Sequence, residues 1–191
     1  MGQPKVRFLV GIFLTVLISS LNPAFAEIAD EYGNKEKAIE YRVKGYQAQK
    51  IGQLLEALAY YQKSVMIDPR NASVYNDIGI VYEMLGNSQE AEKSYLDALT
   101  VDSSYTDVYS NLALLYEKKG DFYKAARYWM KRAYDGKEDD LWAQKARQRL
   151  VEIGKIMPEV KQMYANKEAQ VLASKVLEDK QLDTPSYDTE P

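Results

Sequence analysis

The sequence has no cysteine and no histidine among its 191 residues. The lack of cysteine excludes disulfide bonds, so the fold must be stabilised by burial of an apolar core. The lack of both residues removes the commonest general base, the best nucleophile and the usual zinc ligands. We therefore predict that the protein is not an enzyme and that it has no metal site and no cofactor.

The sequence also lacks an excess of basic residues. Its formal net charge is -3, and removal of the N-terminal segment that carries Lys5 and Arg7 would make the chain more acidic still. Proteins that bind nucleic acid carry a basic surface, so we expect no nucleic acid partner.

The N-terminal segment has the pattern of a signal peptide. Its apolar-rich run, residues 8–21, is shorter than the roughly 20 residues that span a bilayer. Lys5 and Arg7 precede this run, and Ala24 and Ala26 follow it at the spacing of a cleavage site. We predict that residues 1–26 are removed and that the protein is exported, periplasmic or secreted, with no stable membrane span. A retained membrane anchor is the alternative.

Small residues recur along the chain at a fixed interval of 34 residues. They form three sets: Gly45, Gly79 and Ala113; Gly52, Gly86 and Gly120; Ala57, Ala91 and Ala125. Two sets of aromatic residues keep the same interval: Tyr41, Tyr75 and Tyr109; Tyr61, Tyr95 and Trp129. A repeat of this length is typical of a two-helix hairpin.

Each set has its own physical role in such a hairpin. The residues equivalent to Gly45 and Ala57 let the two helices approach closely, and the residues equivalent to Tyr61 fill the space beside the crossing. The glycines equivalent to Gly52 supply the positive φ that ends the first helix and reverses the chain. At the end of the first hairpin, Pro69 prevents the second helix from continuing.

The pattern resembles the tetratricopeptide repeat (TPR). In that family an aromatic residue, Leu-Gly and Tyr mark the first helix, and Ala, an aromatic residue and Ala mark the second. The resemblance covers three repeats, at residues 38–71, 72–105 and 106–137. It implies an all-α fold, a right-handed solenoid of TPR helical hairpins.

The three repeats depart from the family pattern at several positions. In repeat 1, Lys44, Ala48 and Ser64 replace Leu, Tyr and the final Ala. In repeat 2, Ser103 replaces the closing proline, so the break depends on the turn chemistry of residues 102–104. Repeat 3 is atypical because Arg132 stands where Ala is usual.

Two helices are predicted after the repeats, a capping helix at residues 138–156 and a further helix at 158–180. The acidic residues 138–140 offer an N-cap, Gly154 is predicted to end the capping helix, and Pro158 suits the start of the next. The apolar face of the last helix is poorly defined, so its docking on the solenoid is left open. Residues 27–37 are an N-terminal lead-in, and residues 181–191 read as a disordered tail.

The end of the third repeat offers a second resemblance. Residues 128–132, with Asp140, Trp142, Ala146 and Leu150 beyond them, resemble the close of repeat modules in bacterial proteins. This suggests an exported bacterial protein that contains TPRs, and it implies no activity.

The resemblance implies that ligands bind on the concave face, which the first helices form. The residues predicted there are Ile39, Arg42, Tyr46 and Gln49 in repeat 1, Ser73, Asn76, Ile80 and Glu83 in repeat 2, and Asp107, Ser110, Leu114 and Glu117 in repeat 3. Tyr46, Ile80 and Leu114 are in register and would accept apolar anchors, flanked by acidic residues that favour neutral or basic neighbours. Alternatively, these three residues pack between adjacent first helices.

One ligand class of the family is predicted not to bind. TPRs of the carboxylate-clamp subclass hold acidic C-terminal tails of chaperones with Lys, Asn, Asn, Lys and Arg. The same places here hold Arg42, Tyr46, Asp77, Asp107 and Asn111. Only Arg42 keeps the required chemistry, and the two aspartates would repel a carboxylate.

The sequence thus favours a non-catalytic scaffold of the cell envelope that binds a peptide or helix of another protein. One alternative is a structural protein that self-associates as a homo-oligomer. Another is an accessory factor in envelope polysaccharide or secretion machinery. The sequence has 16 tyrosines, and the exposed ones would serve as platforms on which sugar rings stack.

Overall fold

The structure is a computed structural model that describes residues 23–135 and 140–182. The described residues form eight helices joined by short turns, with no strand among them. They are α1 (Pro23–Lys50), α2 (Leu54–Ile67), α3 (Ala72–Met84), α4 (Ser88–Val101), α5 (Asp107–Lys118), α6 (Phe122–Asp135), α7 (Leu141–Ile156) and α8 (Pro158–Leu182). The predicted all-α class of helical hairpins is confirmed.

The helices form two compact units, which divide between Tyr105 and Thr106. In the first unit, α1 packs on α2, α3 packs on α4, and α2 contacts α3. In the second unit, α5 packs on α6, and α7 and α8 follow, with contacts from α6 to α7 and from α7 to α8. Each pair α1–α2, α3–α4 and α5–α6 is one of the predicted hairpins.

The turn inside each hairpin follows from its glycine. Gly52, Gly86 and Gly120 have positive φ, of 78°, 77° and 75°. In the first turn, the Gln53 amide donates to the Ala48 carbonyl at 2.9 Å and the Gly52 amide donates to Gln49 at 3.0 Å. This pair of bonds satisfies the carbonyls left free at the helix end, as in a Schellman motif. The predicted turn is confirmed.

In the first two hairpins, the two helices cross very closely at a glycine. A Cβ atom on Gly45 would lie 2.7 Å from the ring of Tyr61, and one on Gly79 would lie 2.4 Å from the ring of Tyr95. The aromatic ring therefore lies directly against the glycine at the helix crossing. The sequence predicts it beside the crossing instead. Tyr61 and Tyr95 are fully buried as a result.

Two of the departures from the family pattern are accompanied by side-chain hydrogen bonds. Ser64, buried in the place of the usual alanine, donates its hydroxyl to the Ala38 carbonyl on α1 at 2.7 Å. After α4, the carboxylate of Asp102 accepts from the amide of Ser104 at 2.8 Å and from its hydroxyl. These bonds from Ser104 lower the pKa of Asp102. A turn built on a side chain thus replaces the missing proline.

Arg132 marks the junction between α6 and α7. Its side chain is 2% exposed and donates to the carboxylate of Asp140, which in turn accepts from the Trp142 amide at 2.8 Å as the N-cap of α7. The N-cap is therefore Asp140, the last of the three predicted acidic residues, and the other two lie outside the described residues. The arginine in the alanine position fixes the start of the capping helix.

The role predicted for Gly154 is wrong. Gly154 does not end the capping helix, because α7 continues to Ile156 and Gly154 is buried inside it. A Cβ atom on Gly154 would lie 3.2 Å from Cβ and 3.3 Å from Cα of Lys161 on α8. The glycine therefore allows α7 and α8 to cross closely.

The first turns of α8 pack on other helices of the second unit. Val160 is fully buried, Met163 and Tyr164 are half-buried, and α8 contacts both α7 and α6. Further along, Leu172 is 65% exposed. The helix thus docks through its N-terminal part.

At the N-terminus, the predicted lead-in, residues 27–37, is helical and continuous with α1. Most of the predicted signal peptide and residues 183–191 of the predicted tail lie outside the described residues.

Candidate functional site

The twelve predicted binding residues lie on the first helices of the three hairpins, and we refer to the surface formed by those on α1 and α3 as the first-helix face. Eight of them are in the first unit on α1 and α3, and four are in the second unit on α5. In the first unit, α1 and α3 lie side by side. Arg42 of α1 contacts Asp77 of α3, and the Gln49 amide lies 3.7 Å from the Met84 sulfur.

The contact between Arg42 and Asp77 is a close ion pair. The Arg42 Nε donates to Asp77 Oδ2 at 2.6 Å, and the two side chains are 37% and 18% exposed. Burial raises the pKa of Asp77, and the hydrogen bond and charge of Arg42 offset only part of this effect. Burial alone would lower the pKa of Arg42, but the hydrogen bond and charge of Asp77 have the larger combined effect, so the pKa of Arg42 is raised. The guanidinium is therefore already held by a carboxylate of the same chain.

A polar residue at the end of each first helix accepts a hydrogen bond from the aromatic residue of its own hairpin. In the first unit, the Tyr61 hydroxyl donates to Gln49 Oε1 at 2.8 Å, and the Tyr95 hydroxyl donates to Glu83 Oε2 at 2.8 Å. Burial raises the pKa of both Tyr61 and Tyr95, and the charge of Glu83 raises that of Tyr95 further. Both phenols therefore stay protonated and act as donors over the physiological pH range.

The second unit repeats this arrangement with a different aromatic residue. Trp129 Nε1 donates to Glu117 Oε1 at 2.6 Å. Arg149 of α7 also donates to Glu117, from Nε to Oε1 at 3.1 Å and from Nη2 to Oε2. Glu117 thus connects the third hairpin to the capping helix.

Sequence reasoning missed these bonds, although a signal for them is present. The aromatic residue follows its polar acceptor by the same number of residues in every repeat. A buried Tyr or Trp usually needs a partner for its polar hydrogen. The recurring pair was therefore available from the sequence, and Gln49, Glu83 and Glu117 have a structural role whatever else they contact.

The twelve residues differ widely in exposure. Ile39 and Tyr46 are 49% and 56% exposed, and Asp107 is exposed too. Asn76 and Ser110 are buried, so they contribute to packing more than to an accessible surface. The others are half-buried: Arg42, Gln49, Ser73, Ile80, Glu83, Leu114 and Glu117. Their binding role stays a prediction.

An exposed apolar row runs along α1 on this face. Val43, which was not predicted, is 48% exposed and follows Ile39 by one helical turn, and Tyr46 follows at the next turn. The Lys50 amine lies 5.6 Å from the centre of the Tyr46 ring. The face thus combines accessible apolar side chains with polar groups that are held in place by internal bonds.

No group that could hold a metal ion, meaning three or more His, Cys, Asp or Glu side chains, is found among the described residues. Within the same part of the chain, no helix is both long and apolar enough to cross a membrane.

Family models match the middle of the chain. The model described as "TPR repeat" matches residues 49–86, and the one described as "Tetratricopeptide repeat" matches residues 72–105 and 106–131. A comparison with curated proteins found no match.

Several solved structures are similar to the chain in fold. The TPR domain of OM64 from Arabidopsis has a TM-score of 0.56 at 22% identity, and the match covers 62% of this chain and 98% of that one. The first TPR of Spaghetti (RPAP3), bound to the HSP90 peptide SRMEEVD, has a TM-score of 0.58 at 22% identity, covering 65% and 98%. The N-terminal domain of STI-1 from C. elegans has a TM-score of 0.54 at 20% identity, covering 61% and 96%. At these identities the likeness concerns the fold alone.

Proposed function

We propose that this chain, whose hairpins are tetratricopeptide repeats, is a non-catalytic scaffold that binds a peptide or helix of a partner protein on its first-helix face. The first TPR of RPAP3 is solved with a peptide bound. The observation that carries the proposal here is the exposed row of Ile39, Val43 and Tyr46 on α1. Apolar side chains grouped on one helix face are the usual anchors for a bound segment.

The polar groups beside this row favour an ordered site. Gln49 and Glu83 each accept a hydrogen bond from a buried tyrosine, and Arg42 is paired with Asp77. Groups that are already fixed lose little conformational freedom when a partner binds. The carboxylates of Glu83 and Asp77 favour neutral or basic residues beside the partner's apolar anchors.

The acidic C-terminal tail of a chaperone is a poor ligand for this face. Arg42 is the one residue that keeps the clamp chemistry, and its guanidinium is engaged by Asp77 at 2.6 Å. A peptide carboxylate would have to displace Asp77 and approach its negative charge. We therefore expect an HSP90-type peptide to bind poorly, and we expect the Arg42→Ala substitution to leave that binding unchanged.

We further propose that the protein acts after export, in the periplasm or as a secreted protein of a bacterium. The support for this location is the signal-peptide pattern of residues 1–26. A scaffold in that compartment would position another envelope protein. With a small face of this kind, we expect a dissociation constant of about 1 μM.

Affinity capture from the cell envelope, followed by mass spectrometry, tests the proposal. The test variant is Ile39→Ala/Tyr46→Ala/Ile80→Ala, and the matched control is Leu55→Ala/Met66→Ala, whose side chains are 74% and 83% exposed on α2. Circular dichroism checks that both variants are folded. We expect a partner that the native protein and the control retain and that the test variant loses.

Two outcomes would contradict the proposal. If the test variant retains every captured protein, the first-helix face is not the binding surface. If the native protein captures only itself and its mass in solution is a multiple of the monomer mass, the protein is a self-associating structural component. Quenching of tyrosine emission by sugars would instead favour the polysaccharide role.

A further inference from the structure

A cavity of about 560 Å³ lies in the second unit. Four basic residues line it, and three tyrosines form much of the remaining wall. The basic residues are Lys124, Arg127 and Lys131 of α6 and Lys167 of α8, and the tyrosines are Tyr116 of α5 and Tyr128 and Tyr134 of α6. We refer to it as the basic tyrosine pocket.

The aromatic wall of this pocket is firmly built. The rings of Tyr116 and Tyr128 are stacked, with centres 5.6 Å apart and planes inclined by 6°. On the other side, the Tyr134 hydroxyl donates to Glu168 of α8. Since α6 and α8 are also in contact, the wall does not depend on a bound ligand for its shape.

Three of the four cations lie against tyrosine rings. The Lys124 amine is 4.9 Å from the centre of the Tyr116 ring, Lys131 is 5.5 Å from that of Tyr109, and Lys167 is 5.7 Å from that of Tyr134. Such contacts hold the long side chains in place without cancelling their charge. Lys124 and Lys131 remain 54% and 60% exposed, so the charges are accessible.

The acidic residues near the pocket leave a positive balance. Asp121 lies 3.4 Å from the Lys124 amine and Asp135 lies 3.9 Å from the Lys131 amine. Among the described lining residues, Asp135 is acidic and four are basic, and Glu168 adds a second carboxylate at the wall through its bond with Tyr134. A ligand with one or two carboxylates balances this lining, whereas a dense polyanion would meet Asp121 and Asp135 and the net negative charge of the chain.

We propose that the basic tyrosine pocket binds an extended acidic peptide segment whose carboxylates contact Arg127 and Lys131 and whose aromatic or apolar side chains lie against Tyr128 and Tyr134. The spacing supports this ligand. Arg127 and Lys131 are about 6 Å apart along α6, and alternate residues of an extended peptide are about 6.6 Å apart. The site shares no residue with the face of the proposed function and has the opposite charge preference.

Fluorescence anisotropy with a synthetic probe tests the proposal. The probe is a labelled peptide of sequence Tyr-Glu-Tyr-Glu-Tyr, and the competitors are Tyr-Gln-Tyr-Gln-Tyr, Ser-Glu-Ser-Glu-Ser and single-stranded DNA. We expect that the Arg127→Glu/Lys131→Glu variant binds the probe at least about tenfold more weakly than the native protein. The charge-matched control Lys37→Glu/Lys93→Glu, with both lysines exposed in the first unit, should bind as the native protein does.

The competitors separate a built site from general attraction between charges. The site predicts that replacing Glu or Tyr in the peptide each weakens competition, and that DNA competes less well than the probe. Equal weakening by both charge variants, or stronger competition by DNA, would overturn the proposal. The Ile39→Ala/Tyr46→Ala/Ile80→Ala variant should bind the probe normally, which distinguishes failure of this site from failure of the first-helix face.

Discussion

At the scale of single residues, the fold depends on a glycine that lies against an aromatic ring. A methyl group on Gly79 would lie 2.4 Å from the ring of Tyr95, whose hydroxyl is anchored on Glu83 at 2.8 Å. The ring therefore has two constraints and little freedom to move away. The same arrangement occurs at Gly45 and Tyr61.

Replacement of Gly79 by alanine is predicted to destabilise the protein. The added methyl group must displace the ring of Tyr95, and overpacking of this kind costs about 1–3 kcal/mol. The free energy of unfolding in urea measures the effect. Gly33→Ala is the matched control, because Gly33 is exposed in α1 with nothing within 4 Å of an added Cβ. It should be neutral or slightly stabilising, and a loss as large as that of Gly79→Ala would contradict the explanation.

Asp140→Asn is predicted to lower stability in a manner that depends on pH. The asparagine can still cap α7, but the buried Arg132 loses its counter-charge, and two of its nitrogens, Nε and Nη1, already lack a hydrogen-bond partner among the described residues. The hydrogen bond from Arg132, with that from the Trp142 amide, lowers the pKa of Asp140 below 3.8. A carboxyl group whose pKa is lower in the folded than in the unfolded protein stabilises the fold at pH values above its unfolded-state pKa. This stabilisation is lost as the pH falls through the folded-state pKa.

Urea midpoints measured at a series of pH values check this prediction. The native protein should have a higher urea midpoint than the variant at neutral pH, and the difference should disappear as the pH falls through the lowered pKa of Asp140. Replacing Arg132 by methionine in the Asp140→Asn background should restore most of the stability, since no unpaired charge is then buried. A difference that does not change with pH would show that the ion pair is not its cause.

At the scale of elements, the sequence indicates hairpins and turns well because their determinants are local. Gly52, Gly86 and Gly120 each have a positive φ, and their recurrence at the same position of every repeat predicts this conformation. Contacts between elements are harder to predict. Gly154 was interpreted as a helix end, because a glycine near a helix terminus usually is one. Its actual role is to admit the backbone of Lys161, and this depends on the path of α8.

The candidate site shows the same division between local and non-local information. Repeat phase placed Ile39, Tyr46 and Asp107 at exposed positions. It did not indicate that Asn76 and Ser110 are buried, since their exposure depends on neighbouring elements and not on their position in the repeat.

Gly154→Ala is predicted to weaken the docking of α8 and to leave the hairpins intact. The new Cβ would lie 3.2 Å from Lys161 Cβ, so the two helices must separate slightly or shift. Hydrogen exchange measured by mass spectrometry should show faster exchange in the first turns of α8, around Val160. Leu172→Ala, at a 65% exposed position on the same helix, is the control and should leave the exchange pattern unchanged. Equal protection in both variants would contradict the assigned role of Gly154.

At the scale of the whole molecule, the proposed export predicts the start of the mature protein. Cleavage after Ala26 would leave Glu27 as the first residue and shorten α1 by its first turn. Residues 27 and 28 and most of the following turns are exposed, so this loss should not disturb the core. Intact mass spectrometry of the protein from the envelope or the medium gives the answer. A mass that includes residues 1–26 would favour the retained anchor.

The two tryptophans give the molecule an uneven optical signature. Both Trp129 and Trp142 belong to the second unit, one fully buried and hydrogen-bonded to Glu117, the other 41% exposed. The first unit contains tyrosines but no tryptophan. Tryptophan emission therefore reports on the third hairpin and the capping helix alone, and loss of the first two hairpins would be visible in tyrosine signals and circular dichroism before any tryptophan changes its environment.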